Sequence, residues 1–329
     1  MDGDVMVFAP APQLTITIED TAGRADLHLH PGGQGVWQAR MVRALGGRPV
    51  LCAVLGGEPG VVLGTLLDVE GVPARTVHRP AGSGWYVHDR RGGSRRVILE
   101  DPGAPLARHD LDELYNLALA EGLRAGVALL SGPADPSVVS PEVYRRLTAD
   151  LTANGCRVVA DLSGAMLHAV LAGGVTFVKV SHEELLRDGL VTEDTPEEAV
   201  RALLRLRDDG AGAALVSRAE RPALALLDGT VHRVEVPRLQ TVEPRGSGDS
   251  MTAAVATVLS RGGDLEQAVL AGAAAGAVNV TRHGLGSARG DAVEELLTRV
   301  QLVPERAPTG DREGTTWGDG EPSPEGGAS

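Results

Sequence analysis

The chain has 329 residues, of which 43% are hydrophobic and only 2% aromatic, and its formal net charge is −13. This charge argues against a nucleic-acid-binding protein, and no run of about 18 apolar residues predicts a membrane span. Because the first residues also lack the basic start of a signal peptide, we predict a soluble cytoplasmic protein that binds neither nucleic acid nor membrane.

Short apolar segments alternate with helical patterns along the chain. The predicted strands are apolar on both faces, as strands between two helix layers are, and they cover residues 5–9, 50–54, 127–131, 158–161, 177–180, 214–217 and 223–227. The predicted helices include residues 34–45, 141–154 and 196–209, and Ser140 and Thr195 are the predicted N-caps of the last two. This alternation predicts an α/β fold with a doubly wound, mainly parallel sheet flanked by helices.

Two segments break this alternation. Residues 14–30 and residues 77–99 show a period-two pattern around a turn, which predicts two hairpins with one polar face each. We expect them to form a small antiparallel β lid, although an extension of the main sheet is the alternative. Residues 304–329 are rich in Gly, Pro, Ser, Thr and acidic residues, which predicts a disordered tail after one domain over residues 1–303.

A glycine-rich turn near the C-terminus is the strongest candidate for a chemical centre. Gly246, Ser247, Gly248 and Asp249 lie between a strand-like segment and an Ala-rich helical segment. Glycines at such a turn let backbone N–H groups converge on an anion at a helix N-terminus. A carboxylate in the first turn can then accept the proton of an attacking hydroxyl. Taken alone, the segment is also consistent with a loop in which Asp249 only caps the helix.

The same turn resembles the Gly-Ala-Gly-Asp signature of the ribokinase-like, or phosphofructokinase B, family of carbohydrate kinases. Four further segments resemble family motifs in the family order, nearest the fructose-1-phosphate and tagatose-6-phosphate kinase branch. These segments are residues 31–46, 131–133, 161–167 and 179–185. The resemblance covers the chain from residue 5 to about residue 286 and implies a ribokinase-like fold, in which the two hairpins cover a sugar.

The resemblance also implies an ATP-dependent transfer of phosphate to an alcohol group. By position it implies Asp249 as the catalytic base, and the backbone of Gly246, Ser247 and Gly248 as the anion hole for the transferred phosphoryl group. It implies Mg²⁺ organised indirectly by Glu184, and it is compatible with a monovalent cation and with a homodimer formed through the lid. The residues that it places at the nucleotide are Lys179, Ser181, Glu184, Ser217, Arg245 and Asn279.

The acceptor side departs from the family pattern. Gln13 stands where the branch has an aspartate that binds sugar hydroxyls, and Gln34 replaces a lysine suited to a sugar phosphate. Trp37 replaces an asparagine that reads hydroxyls. A neutral amide cannot neutralise a phosphate dianion as an ammonium group does. The residues expected to bind the acceptor are Gln13, Gly32, Gly33, Gln34, Trp37 and Arg96.

Three interpretations fit these departures. In the first, the enzyme phosphorylates an unusual sugar, a nucleoside or another polyol instead of an ordinary hexose phosphate. In the second, it accepts a sugar phosphate through arginines of the lid, such as Arg90, Arg95 or Arg96. In the third, it has lost catalysis and binds a ligand or a partner. The intact glycine turn argues against the third interpretation, and the altered acceptor residues argue against the second. The sequence therefore favours the first and leaves the acceptor unidentified.

Overall fold

The strands that are apolar on both faces form one large sheet with a core on each side. The computed structural model describes residues 3–21, 23–92, 95–282 and 286–305. Phe8 and Leu130 belong to the core on one face, whereas their neighbours Val7 and Leu129 belong to the core on the other. Successive strand residues point to opposite faces, so both faces need a helix layer to exclude water.

The elements follow one another in near-regular strand–helix alternation. The strands are β1 (Asp4–Phe8), β2 (Gln13–Thr21), β3 (Arg24–Gly32), β4 (Arg48–Gly56), β5 (Ala74–Arg79), β6 (Ser83–Asp89), β7 (Arg96–Gly103), β8 (Val127–Ser131), β9 (Arg157–Asp161), β10 (Phe177–Ser181), β11 (Ala213–Arg218), β12 (Arg221–Leu227), β13 (Thr230–Glu235) and β14 (Gln301–Pro304). The helices are α1 (Gln34–Ala44), α2 (Gly57–Val69), α3 (Arg108–Ala125), α4 (Pro141–Ala153), α5 (Gly164–Ala172), α6 (His182–Arg187), α7 (Pro196–Asp208), α8 (Ser247–Ser260), α9 (Leu265–Asn279) and α10 (Gly290–Leu297).

The main sheet has ten strands in the order β14-β13-β12-β11-β10-β9-β8-β1-β4-β5. In this spatial order, all neighbours from β11 through to β5 pair in parallel. The remaining strands, β12, β13 and β14, extend the sheet with antiparallel pairs. All the predicted strands that are apolar on both faces lie in this sheet, so the predicted α/β fold is confirmed. The predicted helices are α1, α4 and α7, and the N-cap hydroxyls of Ser140 and Thr195 accept backbone N–H groups as expected.

The two predicted hairpins form a separate sheet of four strands in the order β3-β2-β6-β7. Each hairpin is antiparallel, and the two are joined by parallel pairing of β2 with β6. The second hairpin begins at Ser83 and not at Val77, which lies in β5 at the edge of the main sheet. The pattern misplaced this boundary because β5 has exposed residues alternating with less exposed ones, as a lid strand has.

The last described strand, β14, forms one edge of the main sheet. Pro304, the first residue of the predicted tail, ends β14 opposite His232 of β13, and the N–H of Glu305 donates to the carbonyl of Val231. The rest of that predicted tail, residues 306–329, lies outside the described residues. Among the residues that the structure describes, no helix is long and apolar enough to cross a membrane.

Candidate active site

The glycine turn opens helix α8, which begins at Ser247 and so includes part of the turn, whereas the Ala-rich helical segment was expected to begin after it. Gly246 is the N-cap and has a φ of 74°, a left-handed conformation that glycine adopts without strain. Ser247 donates its hydroxyl to the carbonyl of Gly276 at 3.2 Å, which ties the turn to α9. Gly248 leaves room for the lysine, because a Cβ there would lie 2.3 Å from Nζ of Lys179 and would displace its ammonium group. The turn therefore presents N–H groups of a helix N-terminus beside a lysine.

Asp249 lies in the first turn of α8, and its exposed fraction is 9%. Burial and the neighbouring Asp161 raise the pKa of Asp249 to about 7, although the Lys179 ammonium and a hydrogen bond from the Gln34 side chain act to lower it. The Nε2 of Gln38 lies 3.5 Å from its Oδ1. A carboxyl group with a pKa near neutrality suits a general base, because it can take a proton from a hydroxyl at physiological pH.

A buried ion pair lies beside the turn. Lys179 donates from Nζ to Oδ1 of Asp161 at 3.2 Å, and the two side chains are only 8% and 2% exposed. Thr252 of α8 donates to the other oxygen of Asp161 at 3.3 Å. Burial alone would lower the pKa of Lys179, but Asp161, Glu184 and Asp249 raise it above its ordinary value. The ammonium group therefore remains charged at neutral pH and adds positive potential beside the anion-binding turn.

Two of the predicted nucleotide residues lie at the carboxyl ends of neighbouring strands of the main sheet. Ser181 ends β10 directly opposite Ser217 of β11, so both lie at the carboxyl ends of parallel strands. Oε2 of Glu184 accepts the N–H and the hydroxyl of Ser181 at 2.7 and 2.8 Å, which closes a capping box at the start of α6. The cap fixes the Glu184 carboxylate in one orientation.

Asn279 supports the loop before the turn. Its side chain is fully buried and its Nδ2 donates to the carbonyl of Arg245 at 3.0 Å. The Arg245 side chain is half exposed and pairs with Glu243, with 3.2 Å between Nε and Oε1. The amide of Asn279 thus holds a backbone carbonyl, and its contact with a nucleotide stays a prediction. Its position indicates a role in holding the Arg245 loop.

Most of the predicted acceptor residues converge where β1 ends and α1 begins. Gln13 opens β2 opposite Gly32 at the end of β3, and Gly33 is the N-cap of α1. Oε1 of Gln34 accepts the N–H of Gly132 at 2.7 Å. A small pocket without a charged side chain lies here, and its lining residues are Ala9, Ala11, Pro12, Gly33, Gln34, Gly35, Val36 and Gly132. The hydrogen bond of Gln34 to Asp249 connects this pocket to the glycine turn.

Trp37 and Arg96 do not line that pocket. The carbonyl of Trp37 packs so closely on Gly286 that a Cβ there would lie 2.3 Å away. Arg96 is 75% exposed and lies 3.5 Å from Asp89. Arg95 instead contacts the His88 ring, and its guanidinium lies 5.6 Å from the centroid of Tyr86. Of these two lid arginines, Arg95 is therefore the one that packs against the ring side chains of β6. The ligand roles of all these residues stay predictions.

Sequence reasoning missed Gln38, which is fully buried beside Asp249. The signal was present, because Gln38 follows Gln34 by one helical turn on a helix whose other buried side chains, apart from Gly35, are apolar. A polar residue on a buried face needs polar partners, which points to a site.

Several known proteins are similar to this chain. A profile of the pfkB family carbohydrate kinases matches residues 3–290. ATP-dependent 6-phosphofructokinase isozyme 2 of Mycobacterium tuberculosis is 31% identical over 275 residues, which cover 81% of this chain and 79% of the relative. Isozyme 2 of Escherichia coli is 30% identical over 261 residues, which cover 77% of this chain and 82% of the relative. The crystal structure of phosphofructokinase-2 from Escherichia coli with potassium has a TM-score of 0.80 at 26% identity, covering 90% of this chain and 98% of that one.

Proposed function

Because this chain belongs to the pfkB family of carbohydrate kinases, we propose that it transfers the γ-phosphoryl group of ATP to a hydroxyl of a sugar phosphate. The observation that carries this proposal is the position of Asp249, a buried carboxyl with a pKa of about 7 in the first turn of α8. The backbone N–H groups of Gly246, Ser247 and Gly248 lie immediately before it.

In the proposed reaction, the Asp249 carboxylate accepts the proton of the acceptor hydroxyl. The hydroxyl oxygen forms a bond to the γ-phosphorus, the bond between that phosphorus and the β–γ bridging oxygen breaks, and ADP leaves with the electron pair. The N–H groups of the turn donate to the transferred phosphoryl oxygens. The charged Lys179 beside Gly248 stabilises the same negative charge through space.

The described residues offer Mg²⁺ few ligands of their own. Among the described residues, no group of three or more His, Cys, Asp or Glu side chains is arranged to hold a metal ion. Mg²⁺ would therefore be held chiefly by the ATP phosphates, whose charge it neutralises, with Glu184 reaching it through water. The carboxylate just before the glycine turn, Glu243, offers a monovalent cation little free charge, because its Oε1 already accepts the N–H of Arg245 and pairs with that guanidinium.

Two observations support a phosphorylated acceptor. The relatives at 30% identity or more are named 6-phosphofructokinases. In this chain, Arg95 contacts His88, and burial lowers the pKa of His88, as do the nearby guanidinium groups of Arg90 and Arg245. Arg95 thus contacts His88, and two further arginines act on this part of the lid electrostatically, so a phosphate near His88 would find a charge-assisted donor. We therefore favour the second sequence-based interpretation. The uncharged pocket around Gln34 favours a neutral sugar or nucleoside as the second candidate.

The lid arginine provides the test of this choice. Arg95→Met is expected to raise KM for the sugar phosphate roughly 10- to 100-fold, because a hydrogen bond to a charged group contributes about 1.5–3 kcal/mol. The measurement is ADP release with fructose 6-phosphate, fructose 1-phosphate, tagatose 6-phosphate, unphosphorylated sugars and nucleosides. Arg24→Met on the exposed strand β3 of the same lid is the matched control, and its KM should stay within about twofold. Preferred turnover of an unphosphorylated acceptor would instead support the second candidate.

We also propose that a second copy of this chain packs on the lid. Leu29, Ile16, Val87 and Leu99 form one row across all four lid strands. Ile16 packs against a small hydrophobic cluster of Leu14, Leu55 and Leu63. In contrast, Leu29 and Leu99 at the two ends of the row are 39% and 58% exposed. Apolar side chains aligned on a sheet face are typical of an interface between protein chains. One related Escherichia coli enzyme has been described as a tetramer in its inhibited form.

Leu29→Ser combined with Leu99→Ser is expected to convert a dimer into monomers in sedimentation measurements, because it removes most of the exposed apolar area of the row. Val69→Ser, which changes a residue with 79% exposure at the end of α2, is the matched control and should leave the mass unchanged. A wild-type protein that sediments as a monomer at about 50 µM would contradict the lid interface.

A further inference from the structure

Two glutamine side chains on consecutive turns of α1 reach the carboxyl group of Asp249. Residues four apart on a helix share one face, so Gln34 and Gln38 point in the same direction. Gln34 makes a side-chain hydrogen bond to Asp249, and Nε2 of Gln38 lies 3.5 Å from Oδ1 of Asp249. Between them, Gly35 lets α1 approach β1, because a Cβ on Gly35 would lie 2.4 Å from Cβ of Ala9.

The amide of Gln38 is held in one orientation. The side chain is fully buried, and a buried amide without partners would lower stability. Its Oε1 accepts the hydroxyl of Ser131, and its Nε2 donates to Oγ1 of Thr252 at 3.2 Å. Because the hydroxyl of Thr252 donates to Asp161, its oxygen accepts from Gln38, so the N–H groups of Gln38 point toward α8. This places them beside Asp249.

Gln34 is fixed in a similar way. Its Oε1 accepts the backbone N–H of Gly132 at 2.7 Å, which leaves its N–H groups for Asp249. The end of β8 therefore orients both amides, one through the hydroxyl of its last residue, Ser131, and the other through the N–H of the following Gly132.

We propose that Gln38, together with Gln34, is a positioning residue for Asp249, and that the two amides orient its carboxylate and hold it as the proton acceptor. The inference rests on the proposed function, in which Asp249 is the base. The other charged groups that face Asp249 are Asp161 from β9 and Glu184 from α6, which repel the carboxylate, and Lys179 from β10, which attracts it. The amides add the uncharged donors that this set lacks.

The proposal predicts the direction of a pH effect. A hydrogen bond to the ionised form of a carboxyl lowers its pKa, so loss of a donor raises it. In Gln38→Met the acid limb of the pH profile of kcat/KM should move up by about 0.5–1 pH unit. At pH values on the acid side of the profile, kcat/KM should be roughly three- to tenfold lower than in wild type, and it should reach the wild-type value at high pH. A purely structural residue would lower activity equally at every pH.

An NMR titration of isotopically labelled aspartate carboxyls in the full, ligand-free chain tests the same effect without any substrate. The Asp249 signal is assigned from its loss in Asp249→Asn. We expect its titration midpoint to move up in Gln38→Met, and also in Gln34→Met, whose half-buried side chain makes loss of folding a smaller concern. Thr257→Val is the control, because it removes a buried hydroxyl bond two turns further along α8 that touches neither glutamine.

Midpoints that coincide with wild type in both glutamine variants would overturn the inference. A wild-type chain that releases no ADP with any acceptor would instead contradict the proposed function, and the titration would still report on the two amides. The two failures are therefore distinguishable.

Discussion

Asp249→Asn is expected to reduce kcat roughly 10²- to 10⁴-fold while the affinity for ATP stays nearly unchanged. The amide has the shape of the carboxyl group but cannot accept the proton of the acceptor hydroxyl. Asp264→Asn is the matched control, because Asp264 is also a carboxylate at a helix start, where it caps α9 through the N–H of Gln267. Steady-state kinetics and nucleotide titration of both variants measure the difference. Near-normal turnover in Asp249→Asn would exclude the proposed base.

The same variant should be more stable than wild type in mildly alkaline solution. Burial raises the pKa of Asp249 from 3.8 to about 7 in the folded chain. A carboxyl with a raised folded-state pKa stabilises the fold at low pH, and that contribution is lost as the pH rises through about 7. Asn carries no charge, so Asp249→Asn should raise Tm relative to wild type at about pH 8 and have a smaller effect at about pH 5. An unchanged Tm difference between these conditions would contradict the raised pKa.

Lys179→Met is expected to lower the free energy of unfolding by about 3–5 kcal/mol, because it leaves the Asp161 carboxyl buried without its partner. Lys179 and Asp161 are 8% and 2% exposed, so water cannot replace the ion pair. Urea denaturation measures the loss. Activity should fall as well, because the positive charge beside Gly248 disappears.

The double variant Lys179→Met with Asp161→Asn separates these two effects. It removes both charges, so most of the lost stability should return, since an uncharged buried pair has no unpaired ion. The lost activity should not return, because the ammonium group is still missing from the turn. A loss below about 1 kcal/mol in Lys179→Met would mean that Asp161 is solvated or protonated without its partner.

The amino-acid sequence was sufficient to predict the central strands of the main sheet and the glycine turn. Strand β8 shows why, because all of its residues are buried and its apolar run is therefore visible without any partner. The turn was visible for a similar reason. The φ of 74° at Gly246 favours glycine, and Gly248 leaves room for the Lys179 ammonium group, so the local sequence records both constraints.

The polar network around Asp249 could be found only after the chain had folded. Gln38 and Asp249 are 211 residues apart, and Thr252 reaches Asp161 across 91 residues. Helical periodicity shows that Gln38 lies on a buried face, but it cannot show which group the amide meets. The same limit applied to Asn279, whose partner is the carbonyl of Arg245 in a preceding loop. Hydrogen-bond partners depend on distances of about 3 Å between elements, and those distances arise from packing of the helices on the sheet.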